Sequence, residues 1–150
     1  LIVDLDRFKP VNDVHGHQAG DRLLRDVAAR LRRALRGADL AARLGGDEFA
    51  LVARFEAGSE EPREAAARLA GRVVSALDAT FELDGGVSAQ VGCSVGVALA
   101  AAEHGEGAAA LLARADAAMY RAKADGRGCF RFFEPGMDER VRERAALATD

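Results

Sequence analysis

Two adjacent glycines, Gly45 and Gly46, stand between two strand-like runs, Leu40 to Leu44 and Phe49 to Phe55, and they constrain the fold more than any other feature of the chain. Glycine tolerates the positive φ angles of a tight reversal, so the segment is predicted to be a β-hairpin. Its flanks set the class. Leu1 to Leu5 is a short apolar run meeting carboxylates at Asp4 and Asp6, the pattern of a core strand ending at a polar edge. After an irregular stretch holding Pro10, Asn12, Gly16 and Gly20, the residues Leu23, Leu24, Val27, Leu31 and Leu35 recur at helical spacing. They predict a helix from about Asp21 to Arg36, stopped by Gly37. Beyond the hairpin, Ser59 and Pro62 open a second helix lined by Ala66, Leu69, Val73 and Leu77. Val87 to Ala100 alternates in part as a strand. Leu111, Leu112, Ala115, Ala118, Met119 and Ala122 mark a third helix closed by Gly126, and Phe130 to Phe133 form a last short strand. The order strand, helix, hairpin, helix, strand is an α+β pattern of ferredoxin-like βαββαβ type, with an extra helix and a C-terminal strand.

With 150 residues the chain is long enough for one domain with a sizeable core and too short for two. A net charge of −3 excludes a general polyanion binder, so no nucleic-acid partner is expected and any phosphate site must be local. Cys93 and Cys129 do not form the paired framework of a small secreted domain, which points to a reducing, cytoplasmic setting. No apolar stretch approaches the ~20 residues of a membrane span. The chain starts with Leu rather than Met, so an upstream segment is expected, with room there for a membrane anchor. The tail from Glu134 to Asp150, opened by Pro135-Gly136 and rich in Arg and Glu, reads as a linker or helix leaving a domain of residues 1–133.

In a ferredoxin-like sheet the first strand runs antiparallel beside the third, so the end of one is level with the start of the other, and Asp4 and Asp47 are brought together. Two carboxylates converging at a strand edge, with the Leu5 carbonyl beside them, offer hard oxygen ligands for Mg²⁺ while leaving positions for phosphates. Taken singly, Asp4, Asp6, Asp47 and Glu48 read as solvated acids at strand ends. The bare Gly45-Gly46 turn shifts that balance, because a triphosphate can approach backbone amides there with no side chain in the way.

Arg43-Leu44-Gly45-Gly46-Asp47-Glu48-Phe49 contains the signature of the GGDEF diguanylate cyclases, and four further motifs resemble that family in order. They are Asp4 to Lys9, Asn12-Asp13 followed by Gly16 to Asp21, Ser94 to Ala98, and Ala117 to Arg127. The resemblance runs from Leu1 to about Phe133 and implies a palm-like fold similar to nucleotidyl cyclase catalytic domains. It implies that Asp4, the Leu5 carbonyl and Asp47 hold Mg²⁺, with Mn²⁺ as a substitute, and that Asp47 is the base for a ribose 3′-hydroxyl, supported by Glu48. Asn12 and Asp21 then read guanine; without the resemblance they are a turn residue and a helix N-cap. Lys123 and Arg127, a helical turn apart, reach the triphosphate; otherwise they are ordinary cations near a helix C-terminus. Phe8 and Lys9 shape the phosphate-side loop, and His17 packs or hydrogen bonds near the nucleotide.

Arg36-Gly37-Ala38-Asp39 stands where the family carries a product-inhibition motif, so Arg36 and Asp39, helped by Arg72, are expected to bind cyclic di-GMP. The bland alternative is an exposed Arg and a turn Asp. The resemblance further implies a two-fold homodimer that condenses two GTP into cyclic di-GMP, with a linked sensor upstream. Phe132 to Asp138 resembles the connector to EAL phosphodiesterase domains, which opens a second reading, a GTP- or cyclic-di-GMP-binding regulatory module. A purely structural dimerisation domain ranks last, since it leaves the converging acids without a purpose. The helix and Asp-x-Leu-Thr segment that precede the first strand in the family are absent from this sequence.

Overall fold

The computed structural model describes residues 1–56, 58, 60–100, 105 and 107–137. Among them the order is β1 (Ile2–Leu5), α1 (Phe8–His15), α2 (His17–Ala34), β2 (Leu40–Gly45), β3 (Glu48–Val52), α3 (Pro62–Asp78), β4 (Phe81–Glu82), β5 (Ser88–Ala89), β6 (Cys93–Val97), α4 (Ala108–Ala124) and β7 (Phe130–Phe132). The central sheet runs β2-β3-β1-β6-β7, antiparallel except for the β6–β7 pair, and β4–β5 form a separate two-stranded ribbon. The βαββαβ core, extra helix and final strand expected from the sequence are all present.

Successive strand residues point to opposite faces, and here the two faces are covered differently. Val3, Leu5, Phe49, Leu51, Cys93, Val95 and Val97 look toward α2 and α3, burying Leu23, Val27, Leu31, Leu69, Val73 and Leu77 in the main core. Their neighbours Ile2 and Ala50 look the other way and meet Ala115 and Met119 of α4 as a second, smaller cluster with the partly buried Ala98 against it. Gly96 on β6 lets that helix sit directly on the strand: a Cβ there would lie 1.9 Å from the Ala115 carbonyl oxygen and 2.3 Å from the Met119 nitrogen.

Several local expectations need correction. The stretch around Pro10 and Asn12 is the helix α1, since Pro is tolerated in a first turn. The next helix begins at His17 and ends at Ala34, and Leu35 leaves it in extended conformation, so Gly37 is not its stop. Asp21 lies inside α2 and is not its N-cap, a position held by Gly16. The second helix starts at Pro62, with Ser59 outside the described residues. Val87 to Ala100 is no single strand: it holds the two strands β5 and β6, with Gly92, at φ 68°, breaking the run between them and residues 98–100 outside both. Leu112 is 42 % exposed and lies off the buried stripe of α4. Of the tail, residues 138–150 lie outside the described residues.

Candidate active site

On β1 and β3, Asp4 and Glu48 are direct cross-strand partners and share the face covered by α4. The hairpin is tighter than the sequence suggested: Gly45 pairs with Glu48, so the two-residue turn is Gly46-Asp47. Gly45 (φ 145°) and Gly46 (φ 50°) both take conformations that side chains disfavour. Asp47 therefore sits at the very end of β1, its carbonyl accepting the Leu5 N–H at 3.1 Å. Arg43 straps the turn by donating from Nε and Nη2 to the Gly46 carbonyl at 3.0 and 2.8 Å. The signature contains Arg43, but nothing in the sequence assigned it this role.

Asp4 is 9 % exposed, and its Oδ1 is buried with no hydrogen-bond partner. Its Oδ2 receives Lys123 Nζ at 2.9 Å from the last turn of α4. Burial pushes the Asp4 carboxyl above its ordinary range, Lys123 pulls it back, and the neighbouring charges of Asp47 and Asp6 push it up again. Burial likewise raises Glu48, helped by Asp116, Asp4 and Asp47 and opposed by Lys123. Asp116, on α4 beside the Ala115 that packs on Gly96, is itself raised by burial and countered by Lys123. Asp116 escaped the sequence reading because a lone acid on a helix carries no signal until the helix is docked.

Asp6 does a different job from Asp4. Its Oδ1 accepts the Ser94 hydroxyl at 2.6 Å and its Oδ2 the Gly128 N–H at 3.1 Å, tying β1 to β6 and to the turn after α4. That turn carries Arg127, whose φ of 63° places it in the left-handed region. Lys123 and Arg127 are thus not neighbours along one helix: α4 ends at Ala124, and Arg127 is exposed in the following turn.

Asn12 is half-buried on α1, its side chain against Gly20, where a Cβ would fall 1.8 Å from Oδ1. Asp21 follows Gly20 and lines a cavity of about 370 Å³ between α2 and β2, with Arg25, Arg43 and Phe49. Phe8 opens α1 and packs on the main core, while Lys9 and His17 are exposed. At the far end of α2, Asp39 accepts the Arg36 N–H at 3.0 Å and the Arg54 N–H at 3.3 Å. Arg72 of α3 donates to the Ala34 carbonyl at 3.3 Å, and the Arg36 residue is exposed.

The donor set at the end of β1 suits a small hard cation. Among the described residues no three acidic, histidine or cysteine side chains form a complete cage. The orphaned Asp4 oxygen lies at the end of β1, where Asp47 is near enough to raise Asp4 by its charge, and these oxygens with the Leu5 carbonyl could serve a cation that keeps water or phosphate oxygens. Among the described residues no helix is long and apolar enough to cross a membrane.

Residues 1–129 match the family described as Diguanylate cyclase, GGDEF domain. Diguanylate cyclase TpbB of Pseudomonas aeruginosa is 44% identical over 135 residues, 89% of this chain and 30% of its own length. The solved structure of a truncated TpbB comprising only the GGDEF domain is similar at a TM-score of 0.83 and 41% identity, covering 95% of this chain and 79% of that one. Cyclic di-GMP phosphodiesterase PdeR of Escherichia coli K12 is 42% identical over 150 residues, all of this chain and 22% of its own. The GGDEF domain of DgcB from Caulobacter crescentus, solved in complex with cyclic di-GMP, gives a TM-score of 0.76 at 30% identity over 87% of this chain and 74% of that one. The chain thus spans less than a third of the length of either curated relative.

Proposed function

We propose, starting from the fact that this chain belongs to the GGDEF diguanylate cyclase family, that it condenses two GTP into cyclic di-GMP and two pyrophosphates as a two-fold dimer. The observation that carries this reading is the buried, half-unpartnered Asp4, which pairs across the strands with Glu48 and feels the charge of Asp47, next to a glycine turn. Leaving a buried carboxylate oxygen without a partner is costly, and a bound cation removes that cost. Asp4, Asp47 and the Leu5 carbonyl hold Mg²⁺ or Mn²⁺. When bound, the ion neutralises phosphate oxyanions and aligns attacker with leaving group.

The chain's own groups supply the rest. Asn12 and Asp21 present amide and carboxylate to the guanine edge, and adenine is rejected because it leaves these groups unmatched. Lys123 and Arg127 contact the triphosphate, the bare Gly45-Gly46 turn admits it, and Phe8, Lys9 and His17 border its pocket. Asp47, supported by Glu48, accepts the proton of the 3′-hydroxyl. The freed oxygen bonds to the α-phosphorus of the GTP on the facing copy, the α–β phosphoanhydride bond breaks, and pyrophosphate leaves; the reciprocal step closes the ring. Since each chain presents one GTP, two copies must face each other, and positioning supplies much of the acceleration. Arg36, Asp39 and Arg72 form the surface where cyclic di-GMP binds as product and inhibitor. In the parent protein the domain covers 1–133 and residues 134–150 link it onward, with a sensor upstream.

A second reading rests on the similarity to PdeR, a protein named as a phosphodiesterase, which covers all 150 residues. Here the domain binds GTP or cyclic di-GMP without turnover and controls a linked EAL phosphodiesterase. One experiment separates the two. The protein is incubated with GTP and Mg²⁺ over a range of protein concentrations, beside an Asp47→Ala control, and nucleotide products are identified by mass spectrometry. Cyclic di-GMP formed at a per-molecule rate that rises with concentration, and lost in the control, supports catalysis. Saturable GTP binding with no product supports the regulatory reading.

A further inference from the structure

Asp47 stands on a turn that supplies little stiffness of its own. The two residues before it are exposed glycines at φ 145° and 50°, and glycine leaves the backbone more conformational freedom than any other residue. Two contacts from outside the turn hold the backbone on either side of Asp47. The carbonyl of Asp47 accepts the Leu5 N–H of β1 at 3.1 Å. The carbonyl before it, that of Gly46, accepts Nε and Nη2 of Arg43 at 3.0 and 2.8 Å from β2. A peptide unit is planar, so gripping the Gly46 oxygen orients the whole Gly46–Asp47 peptide, the Asp47 nitrogen included. The grip takes two donors from one edge of a guanidinium, a rigid fork that a lysine ammonium does not reproduce. Arg43 also lines the cavity bordered by Asp21 and Arg25.

We propose that Arg43 is a positioning residue: it fixes the Gly46–Asp47 peptide so that the Asp47 carboxylate is held in place for the ribose hydroxyl at the end of β1. This rests on the cyclase reading of the same site, in which Asp47 is the base. Arg43 acts through the backbone and touches neither substrate nor cation in this role, since the donors on that edge of its guanidinium are spent on Gly46. Losing the grip therefore costs turnover rather than nucleotide binding. Base and triphosphate are held by other residues, Asn12, Asp21, Lys123 and Arg127, whereas misplacing a reacting group by about 1 Å can cost about 10²-fold in rate.

The variant Arg43→Lys keeps the charge and loses the fork. Assays run at protein concentrations where the rate per molecule no longer rises should show kcat for cyclic di-GMP at least about tenfold below the wild type. The KM for GTP should stay within about twofold and the preference for GTP over ATP should not change. The Leu5 amide, bonded to the Asp47 carbonyl, reports on the turn without any turnover. In hydrogen exchange read by NMR, with neither nucleotide nor metal present, it should exchange at least about threefold faster in Arg43→Lys, while the other β1 amides keep the wild-type rate. Arg43→Ala should regain turnover when methylguanidinium is added, and not when methylammonium is. An unchanged kcat, or Leu5 exchange at the wild-type rate, overturns the positioning role. A raised KM with a weakened preference for GTP also overturns it, by making Arg43 a nucleotide contact. All three leave the cyclase reading standing. A wild type that forms no cyclic di-GMP overturns both.

Discussion

The two polar regions proposed to meet ligands differ in how they are satisfied. At the corner between α2 and β2, both carboxylate oxygens of Asp39 accept backbone N–H groups, and Arg72 caps the Ala34 carbonyl. At the end of β1, Asp4 keeps one oxygen buried and bare, and burial raises Asp4, Glu48 and Asp116 together. The corner's polar groups hold the chain's own loops together, whereas the end of β1 gathers acids that Lys123 compensates only in part. A region that costs stability and persists in a packed core marks a place where a ligand completes the structure.

The sharpest way to break this contrast is Asp4→Asn. Cyclic di-GMP synthesis should fall by about 10³-fold or more, as expected when about 4 kcal/mol of transition-state stabilisation is lost. Thermal stability should not fall, and an increase of about 3 °C corresponds to ~1 kcal/mol for a chain of this size. The sign follows from linkage. A carboxyl raised above its ordinary 3.8 binds more protons folded than unfolded, so its stability contribution is present below that value and lost as pH climbs through the raised one. The advantage of Asp4→Asn in urea denaturation should therefore widen from acid to neutral pH. An Asp4→Asn protein that melts well below the wild type at pH 7 contradicts the idea that the buried Asp4 charge is compensated only in part.

Next in size is Gly96→Ala, which probes how the edge is assembled. The new Cβ meets backbone atoms of Ala115 and Met119, so α4 must lift off β6, at about 3 kcal/mol by denaturant unfolding. Lys123 and Asp116 ride on that helix, so activity should drop with stability, unlike in Asp4→Asn. A fully stable Gly96→Ala protein excludes this docking.

Legibility in the sequence followed the same division. The apolar periods of α2, α3 and α4 and the glycine hairpin gave the βαββαβ order, because burial imposes those spacings on any chain with this core. That the start of β3 lies level with the end of β1, with Glu48 opposite Asp4 and the Asp47 carbonyl on the Leu5 N–H, followed from topology alone. What was missed depends on tertiary contact. Phe8–His15 forms a helix though the stretch with Pro10 and Asn12 read as irregular, and its Val11 is buried by the tertiary fold. Asp6 resembles Asp4 in sequence, but the neighbours Ser94 and Gly128 turn it into a tie between strands and loop. Asp116 and the strap from Arg43 become visible only once α4 and the hairpin have their places.

Gly20→Ala sharpens the comparison at the guanine end. The Cβ lands on the Asn12 side chain, which must rotate away from its present place against Gly20. Alanine also favours the helix, by up to about 1 kcal/mol, so stability should change little. The KM for GTP should rise about tenfold and the preference over ATP should shrink, since a displaced amide no longer matches guanine. Unchanged nucleotide selectivity removes Asn12 from the pocket.

The smallest effects belong to the corner, and they test whether a self-satisfied region can still bind. Asp39→Ala strands the Arg36 and Arg54 N–H groups and should cost about 1 kcal/mol, the usual value for losing a cap. Arg36→Ala leaves those bonds in place, because Arg36 contributes only its backbone to them, so stability should stay within about 0.5 kcal/mol. If the guanidinium engages cyclic di-GMP, Arg36→Ala should still weaken product inhibition, by about fivefold or more in steady-state assays. Inhibition untouched by Arg36→Ala but changed by Asp39→Ala assigns the corner to loop structure alone. Inhibition relieved by Arg36→Ala shows that the exposed guanidinium does the binding while Asp39 holds the loop that presents it, which is a division of labour the sheet edge, with its bare carboxylate, does not allow.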